Sequence, residues 1–370
     1  MMDWWMIPGP QSYIDAIIDD LREGKSVFLV LPENVPERFS HALKEALREE
    51  SNWESVSVTP AVNPVDFLYT HFVPHAEPRK LRSETTLAGE PEFQRKLISI
   101  EGIMVEDWAA WSQFFLEYER VSRAVPESRR TLFLIRVQGP GYVHEPPAAV
   151  GLSCRRWDGW LRRNDMQLYS NSRVRERKSG LETDLSAALT SELGGWDPAL
   201  CEYLADFDLV ELIQPAQLLE TFAAGKGWCF QPEPYEQASW SQGLWQTYLG
   251  KQTPHTAFGA FLLGQRFLNR LLWKAEIVIL MPYVEEQRQV LIERYRGHLR
   301  LPHYSKYGVI NDVYDLEIGM LELLLHQSGA VSKAALDFIT DLKLARNQLS
   351  HMAPVDTAVL VALCRNADGD

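Results

Sequence analysis

Two short apolar runs in the first half of the chain, residues 25–31 and 131–137, have the length and residue types of buried β-strands. The first run stops at Pro32 and precedes an amphipathic helical pattern over residues 36–50. Because a strand followed by a helix is the opening of a parallel α/β fold, residues 1–179 are predicted to form an α/β domain. Further strands are predicted at 53–58 and 166–169, and a further, aromatic-rich helix at 105–123.

From residue 180 onward the patterns are helical. Three short helices are predicted at 182–193, 197–204 and 215–224, the second with Asp197 as its N-cap. Residues 225–235 are rich in Gly and Pro and are predicted to be the main linker. The organisation is therefore an α/β domain over 1–179, a small helical lid-like segment and linker over 180–235, and a helical domain over 236–370.

The helical domain is predicted to be an up-and-down bundle. Its helices are expected at 241–249, 257–280, 285–298, 314–326, 332–350 and 356–364, the fifth with Ser332 as N-cap. Pro282, Pro302 and Gly329 stand where helices are expected to stop.

Composition narrows the class of protein. Hydrophobic residues make up 46% and charged residues 24%, and no apolar run approaches the length of a membrane span. The first ten residues lack the pattern of a secretory signal, and the four cysteines form no C-x-x-C pair, so a cytoplasmic protein is expected. The nine histidines form no H-E-x-x-H motif, and neither a metal nor a cofactor is expected.

A net charge of -13 argues against nucleic-acid binding through the overall field, but one segment is locally basic. Residues 151–180 hold eight basic and three acidic residues, which is +5 by 8 minus 3. Aromatic residues interleave with the basic ones, as in sites for single-stranded nucleic acid, although a solvated loop with exposed arginines is the favoured explanation. The candidate nucleic-acid-binding residues are Arg155, Arg156, Arg162, Arg163, Arg173, Arg175, Arg177 and Lys178.

The order of elements in the α/β domain resembles a P-loop NTPase core whose motifs are lost. After the first strand the chain has Leu-Pro-Glu-Asn-Val-Pro-Glu-Arg over residues 31–38, where that family has G-x-x-x-x-G-K-[ST]. The run 131–137 is followed by Gln138 and offers no acid for magnesium. The resemblance implies a degenerate domain that senses or docks without hydrolysing ATP. A generic α/β domain with no ancestral nucleotide site is the alternative.

A motif near the end of the chain carries the functional prediction. Arg346-Asn347 is followed, after three residues, by His351 and then by Pro354-Val355 and a short helix. This pattern, over roughly residues 240–365, resembles the HEPN superfamily. The resemblance implies a helical bundle that cleaves RNA without metal, with the Arg and His at a groove between two copies of the domain.

The chemistry of RNA cleavage suits these residue types. A 2′-hydroxyl that attacks the neighbouring phosphate needs a base, an acid for the leaving oxygen and a cation beside the phosphate. His351 can be base or acid but not both in one step, so a twofold dimer supplies two histidines. Arg346 would grip the phosphate and Asn347 would orient His351 or the phosphate. At 100° per residue the three side chains converge only if the helix ends near Ser350.

The sequence therefore predicts a HEPN-like metal-independent endoribonuclease, acting as a toxin or antiviral-defence effector. We expect a homodimer through the C-terminal helical domain, an RNA substrate, a protein partner at the N-terminal domain and no membrane association. The alternative is a non-enzymatic assembly protein in which the Arg-Asn-His cluster only stabilises the end of a helix. An ATP-regulated switch is disfavoured by the lost phosphate loop.

Overall fold

The computed structural model describes residues 2–48, 52–60, 62–75, 81–139, 145–174, 180–230, 237–305 and 308–367. The chain divides into two compact units. The α/β unit comprises residues 3–165 and 233–255, and the helical unit comprises 1–2, 166–232 and 256–370. The chain therefore passes between the units near residues 2, 165, 232 and 255. The sequence pattern predicts one main boundary, at the linker 225–235.

The α/β unit is built on a parallel sheet of five strands in the order β2-β3-β4-β1-β5. Strand β1 lies inside the sheet, with Val27 opposite Leu134 on one side and Ser153 on the other. Its apolar residues are buried because helices cover a doubly wound sheet. The strands are β1 (Ser26–Leu31), β2 (Asn52–Ser57), β3 (Lys96–Glu101), β4 (Leu132–Gln138) and β5 (Leu152–Arg156). The predicted α/β class and the strands expected at 25–31, 53–58 and 131–137 are confirmed.

Aromatic side chains fill the core on one side of the sheet. Helix α5 (Trp108–Ser122) packs Phe115 against Phe28 and Phe133 of the sheet and Phe114 against Phe133, in each pair ring edge to ring face. The helices of the unit are α1 (Pro8–Arg22), α2 (Phe39–Ala46), α3 (Pro64–Phe72), α4 (Glu84–Gly89) and α5 (Trp108–Ser122).

The strand predicted at 166–169 is wrong. These residues lie within helix α6 (Arg163–Val174), and Met166, Tyr169 and Ser170 are its buried face. Their i, i+3, i+4 spacing is that of a helix, and four residues are too few to separate it from an alternating strand pattern.

A large hydrophobic core runs through the helical unit, and Val174, Ala187 and Ala205 form a small separate cluster. The large core includes leucines from both the predicted lid-like segment and the C-terminal helices, so residues 181–225 pack as part of the bundle. The helices that follow α6 are α7 (Leu181–Gly194), α8 (Pro198–Leu204), α9 (Leu209–Leu212) and α10 (Ala216–Gly225). The chain then enters the α/β unit again before the remaining helices of this unit begin. Asp197 caps α8 with its side chain, and Pro198 is the first helical residue, as predicted.

The helix predicted at 241–249 is wrong. The segment contains the end of the short helix α11 (Gln237–Ser241) and then a hairpin of β6 (Trp245–Tyr248) and β7 (Lys251–Pro254) within the α/β unit. Leu249 and Gly250 form the two-residue turn, and both have positive φ, of 52° and 73°. That geometry matches the twist of two antiparallel strands, and Gly at the second position favours it.

The remaining elements are α12 (Thr256–Leu263), α13 (Gln265–Tyr295), β8 (His303–Ser305), β9 (Gly308–Ile310), α14 (Ile318–Ser328), α15 (Lys333–Ser350) and α16 (Thr357–Ala367). Strands β8 and β9 form a small antiparallel hairpin. The predicted ends of α14 at Gly329 and the cap of α15 at Ser332 are confirmed. Among the described residues, no helix has both the length and the apolar character that crossing a membrane requires.

Pro282 does not stop a helix, which contradicts the prediction of two helices at 257–280 and 285–298. It lies inside the single helix α13, which is 31 residues long. Leu280 and Val284, on either side, are fully buried in the core of the helical unit. The free energy gained by burying this apolar face exceeds the cost of the hydrogen bond that the proline ring removes.

Replacing Pro282 with alanine is expected to stabilise the protein by about 2 kcal/mol. The difference in helix propensity is about 3 kcal/mol, and loss of the proline's restriction of the unfolded chain offsets roughly 1 kcal/mol of it. Pro282 is exposed, so little packing is lost. Urea unfolding measures the change. Gln289→Ala, at another exposed position of α13, is the control, and a Pro282→Ala variant less stable than wild type would contradict the account.

Candidate functional site

The predicted Arg-Asn-x-x-x-His residues lie at the carboxyl end of α15. The Ser332 side chain caps the start of this helix by accepting the Ala335 N–H at 3.3 Å. One face, formed by Ile339, Leu342, Ala345 and Leu349, is buried in the bundle core. Asn347 and His351 are exposed, and the side chain of Arg346 is 34% exposed. Neither the guanidinium nor the imidazole is sealed inside the bundle.

The helix ends at Ser350, as the convergence of the three side chains requires, and it ends in a Schellman motif. The Met352 N–H donates to the Leu349 carbonyl at 3.1 Å, and the Ala353 N–H donates to the Gln348 carbonyl at 3.0 Å. Met352 occupies the left-handed position, with φ of 59°. His351 thus stands at the last position before the chain turns away.

Replacing Met352 with glycine is expected to stabilise the protein. A left-handed conformation costs a residue with a Cβ roughly 1–2 kcal/mol, and glycine's greater freedom in the unfolded chain offsets part of the gain. We expect Met352→Gly to stabilise the protein by about 0.5–1 kcal/mol, because the Met352 side chain is 62% exposed and little burial is lost. Urea unfolding checks this, with Met352→Ala as the control that keeps the strain. Equal stability of the two variants would count against it.

Two side chains of α13 hold this helix end in place. The Trp273 Nε1–H donates to the Leu349 carbonyl at 2.8 Å, and a carboxylate oxygen of Glu276 accepts the Val355 N–H at 2.7 Å. Gln348 and Asp356 add a side-chain bond of 2.7 Å across the turn. The segment between His351 and Asp356 is therefore tied on both sides, which keeps the exposed side chains on a fixed support.

Glu276 is 1% exposed and lies in the apolar interior of the helical unit. Burial raises the pKa of this carboxyl to about 8, although the Val355 N–H acts in the opposite direction. Its second oxygen, Oε1, is buried without a hydrogen-bond partner among the described residues. Glu276, Trp273 and Glu317 were not among the residues predicted from the sequence. A single acid in the apolar run 275–281 was the available signal for Glu276.

Arg346 has an acidic neighbour that the sequence did not indicate. Its guanidinium donates to the Glu317 carboxylate at 3.1 Å, and Glu317 is the N-cap residue of α14. The Glu317 side chain is 60% exposed, so the pair is open to solvent. An exposed pair contributes about 1 kcal/mol or less, and a phosphate could therefore replace or join the carboxylate at small cost.

Among the described residues of the locally basic segment, three arginines make internal contacts. Arg155 donates to Asp20 at 2.5 Å, and the Arg156 guanidinium lies 3.7 Å from the ring centre of Trp240. Arg173 contacts Glu202 and lies over the ring of Tyr169. Arg162 is exposed and Arg163 half-buried at the start of α6, and Arg175, Arg177 and Lys178 lie outside the described residues. The predicted nucleic-acid-binding role of these eight residues remains a prediction.

The loop after β1 is covered by the chain itself. This loop follows the carboxyl end of β1, the edge at which nucleotide-binding α/β folds hold phosphate. The Glu33 N–H donates to the Ser241 carbonyl at 2.6 Å, and Asn34 packs against Gly243, whose φ is 78°. A Cβ at position 243 would lie 1.7 Å from Asn34 Oδ1, so only glycine fits this approach. Residues 240–244 thus occupy the space beside the loop.

Comparison with models of protein families finds no match for this chain, and a search of the curated proteins finds no similar sequence. Among the described residues, no three His, Cys, Asp or Glu side chains are grouped as metal ligands would be. The resemblance to HEPN domains stays a prediction from the sequence pattern around Arg346, Asn347 and His351.

Proposed function

We propose that this chain is a metal-independent endoribonuclease, active as a homodimer formed through the helical unit. The observation that carries the proposal is the position of Arg346, Asn347 and His351. All three lie at the end of α15, with Asn347 and His351 exposed and Arg346 partly exposed, beside a turn that Trp273 and Glu276 hold in place. A cation and a proton-transfer group on a rigid support are what phosphodiester cleavage needs.

In the proposed reaction the 2′-oxygen of RNA bonds to phosphorus and the bond from phosphorus to the 5′-oxygen breaks. One His351 imidazole takes the 2′-hydroxyl proton, and the imidazolium of the second copy gives a proton to the leaving 5′-oxygen. Arg346 stabilises the negative charge that builds up on the phosphate oxygens. The products are a 2′,3′-cyclic phosphate and a 5′-hydroxyl.

For the α/β unit we propose a docking or sensing role without ATP hydrolysis, in a degenerate P-loop-like domain. The packing of residues 240–244 beside the loop after β1 supports this, as does the lack of a lysine in that loop. A role in toxin action or antiviral defence in the cytoplasm, with a protein partner at this unit, extends the proposal by analogy with other sensor and effector pairs.

A second candidate is a non-enzymatic assembly protein. The ion pair between Arg346 and Glu317 favours it, since it gives Arg346 a structural partner that links α15 to α14. Under this candidate the helical unit dimerises or recruits a partner, and the Arg-Asn-His cluster only finishes a helix.

The experiment incubates the purified full chain with a mixture of labelled single-stranded RNAs in the presence of EDTA. Cleavage that persists in EDTA and leaves a 2′,3′-cyclic phosphate is expected for the nuclease. Intact RNA at protein concentrations where the dimer is present would favour the assembly protein. Requirement for added magnesium would exclude the proposed mechanism.

A further inference from the structure

A cavity of about 320 Å³ lies at the amino-terminal edge of the sheet in the α/β unit. It is formed where α1 ends and where β2, β3 and β4 begin. This is the opposite edge from the loop after β1, so the cavity is separate from the position at which a P-loop would bind phosphate. Its volume is at the small end of the range for ligand sites, which suits a ligand of a few dozen atoms at most.

The cavity is lined by four basic side chains: Arg22, Arg95, Lys96 and Arg130. No carboxylate is among its described lining residues, although the whole chain carries a net charge of -13. Glu49 and Glu50 lie outside the described residues. Four cations are grouped at this cavity although the protein as a whole is negatively charged. Such a group attracts an anion.

The four basic side chains differ in whether a carboxylate lies beside them. Lys96 contacts Glu54, Arg22 lies 3.9 Å from Asp19, and Arg130 lies 3.8 Å from Glu127. Arg95 is exposed and has no carboxylate within 4.0 Å among the described residues. Its guanidinium is therefore the group most open to a ligand.

The simplest other explanation is that the basic side chains complement the negative ends of helix dipoles. It accounts for Arg22, which is in the last turn of α1. It also accounts for Arg130, whose guanidinium donates to the Arg123 and Val125 carbonyls at the end of α5. It does not account for Arg95 and Lys96, which lie at the start of β3. Two of the four cations, Arg95 and Lys96, thus need a different reason for lining one cavity.

Leucines from α1, β3 and β4 also line the cavity, together with Asn52 and Ser128. Guanidinium groups match phosphate oxygens in geometry and charge, and leucine side chains suit a ring or a short hydrocarbon. We propose that this cavity binds a small phosphate ester with an apolar or aromatic part, its phosphate at Arg95 and its apolar part against the leucines. The site is independent of the proposed RNA cleavage and gives the α/β unit a ligand to sense.

The backbone of Arg95 provides a clean variant. Arg95 has φ of 61°, a left-handed conformation, and its N–H donates to the Arg129 carbonyl at 3.1 Å. Glycine fits this conformation without strain, so Arg95→Gly removes the cation without harming the fold. Arg38 is a matched control, because it also has a left-handed backbone, with φ of 63°, in the same unit, and does not line the cavity.

The test is isothermal titration calorimetry of the full chain with AMP and, separately, with inorganic phosphate. Wild type and Arg38→Gly are expected to bind AMP, with AMP tighter than phosphate. Arg95→Gly should bind AMP about tenfold or more weakly, since one charge-assisted hydrogen bond is lost, and Arg95→Lys should recover part of the loss. Lack of AMP binding by wild type, or equal affinity in Arg95→Gly, would overturn the proposal. Either result leaves the RNA cleavage assay unaffected, so the two proposals fail separately.

Discussion

His351→Ala is expected to reduce the rate of RNA cleavage by about 10²–10⁴-fold, the usual contribution of a positioned acid or base. The fold should not change, because the end of α15 is held by main-chain bonds and by Trp273 and Glu276, and His351 contributes only its backbone N–H to it. Initial rates on one labelled RNA, measured in EDTA, give the comparison, and circular dichroism checks the fold.

His326→Ala is the matched control for this result. His326 is also an exposed histidine in the last turn of a helix of the same bundle, on α14. It should cut RNA at the wild-type rate. If His351→Ala cuts RNA as fast as wild type, the proton-transfer role assigned to His351 is wrong.

The contribution of Arg346 to cleavage can be separated from its contribution to the ion pair by changing its partner, Glu317. Arg346→Ala removes both the phosphate contact and the ion pair, whereas Glu317→Gln removes only the charge of the pair. We expect cleavage to be lost in Arg346→Ala and kept in Glu317→Gln, with each variant destabilised by about 1 kcal/mol or less. Equal loss of cleavage in both variants would assign Arg346 a structural role.

The second large effect that we expect is a loss of stability of the folded chain as the pH rises. Burial holds the pKa of Glu276 at about 8 in the folded chain, well above the ordinary value of 4.5. Between these two values the folded state keeps a proton that the unfolded state has released. Raising the pH through this window therefore favours unfolding, and the free energy of unfolding should fall by an amount on the order of 4–5 kcal/mol, the pKa difference converted at 1.36 kcal/mol per unit.

Urea unfolding at intervals between pH 5 and pH 9 measures this loss. Glu276→Gln keeps an acceptor for the Val355 N–H and cannot ionise, so its stability should fall much less over the same range. The variant should be the more stable protein near pH 9. Glu286→Gln, an exposed position on α13, corrects for the change in net charge. Parallel profiles for wild type and Glu276→Gln would contradict the assigned ionisation.

The strongest local signals in the sequence predicted the corresponding parts of the fold. The apolar runs that became β1 and β4 and the capped start of α15 at Ser332 needed no tertiary information. Strands β3 and β5 were not predicted. Strand β5 is at the edge of the sheet and has Cys-Arg-Arg at its end, so it lacks the apolar run that marks a central strand.

Other features depend on contacts that a local pattern does not contain. The helix through Pro282 persists because its neighbours are buried, and the hairpin after Ser241 depends on pairing between two short strands. The exposed position of His351 followed from the predicted end of α15. The ties from Trp273 and Glu276, about 75 residues earlier in the chain, did not, because they join residues distant in sequence.

Mixing the wild-type chain with His351→Ala, at fixed total concentration and after exchange of subunits, tests the central claim that two copies share the reaction. If each copy supplies one proton-transfer group, only dimers with two histidines are active, and the cleavage rate should fall with the square of the wild-type fraction. A linear fall would mean that each chain cuts RNA by itself and would contradict the shared site.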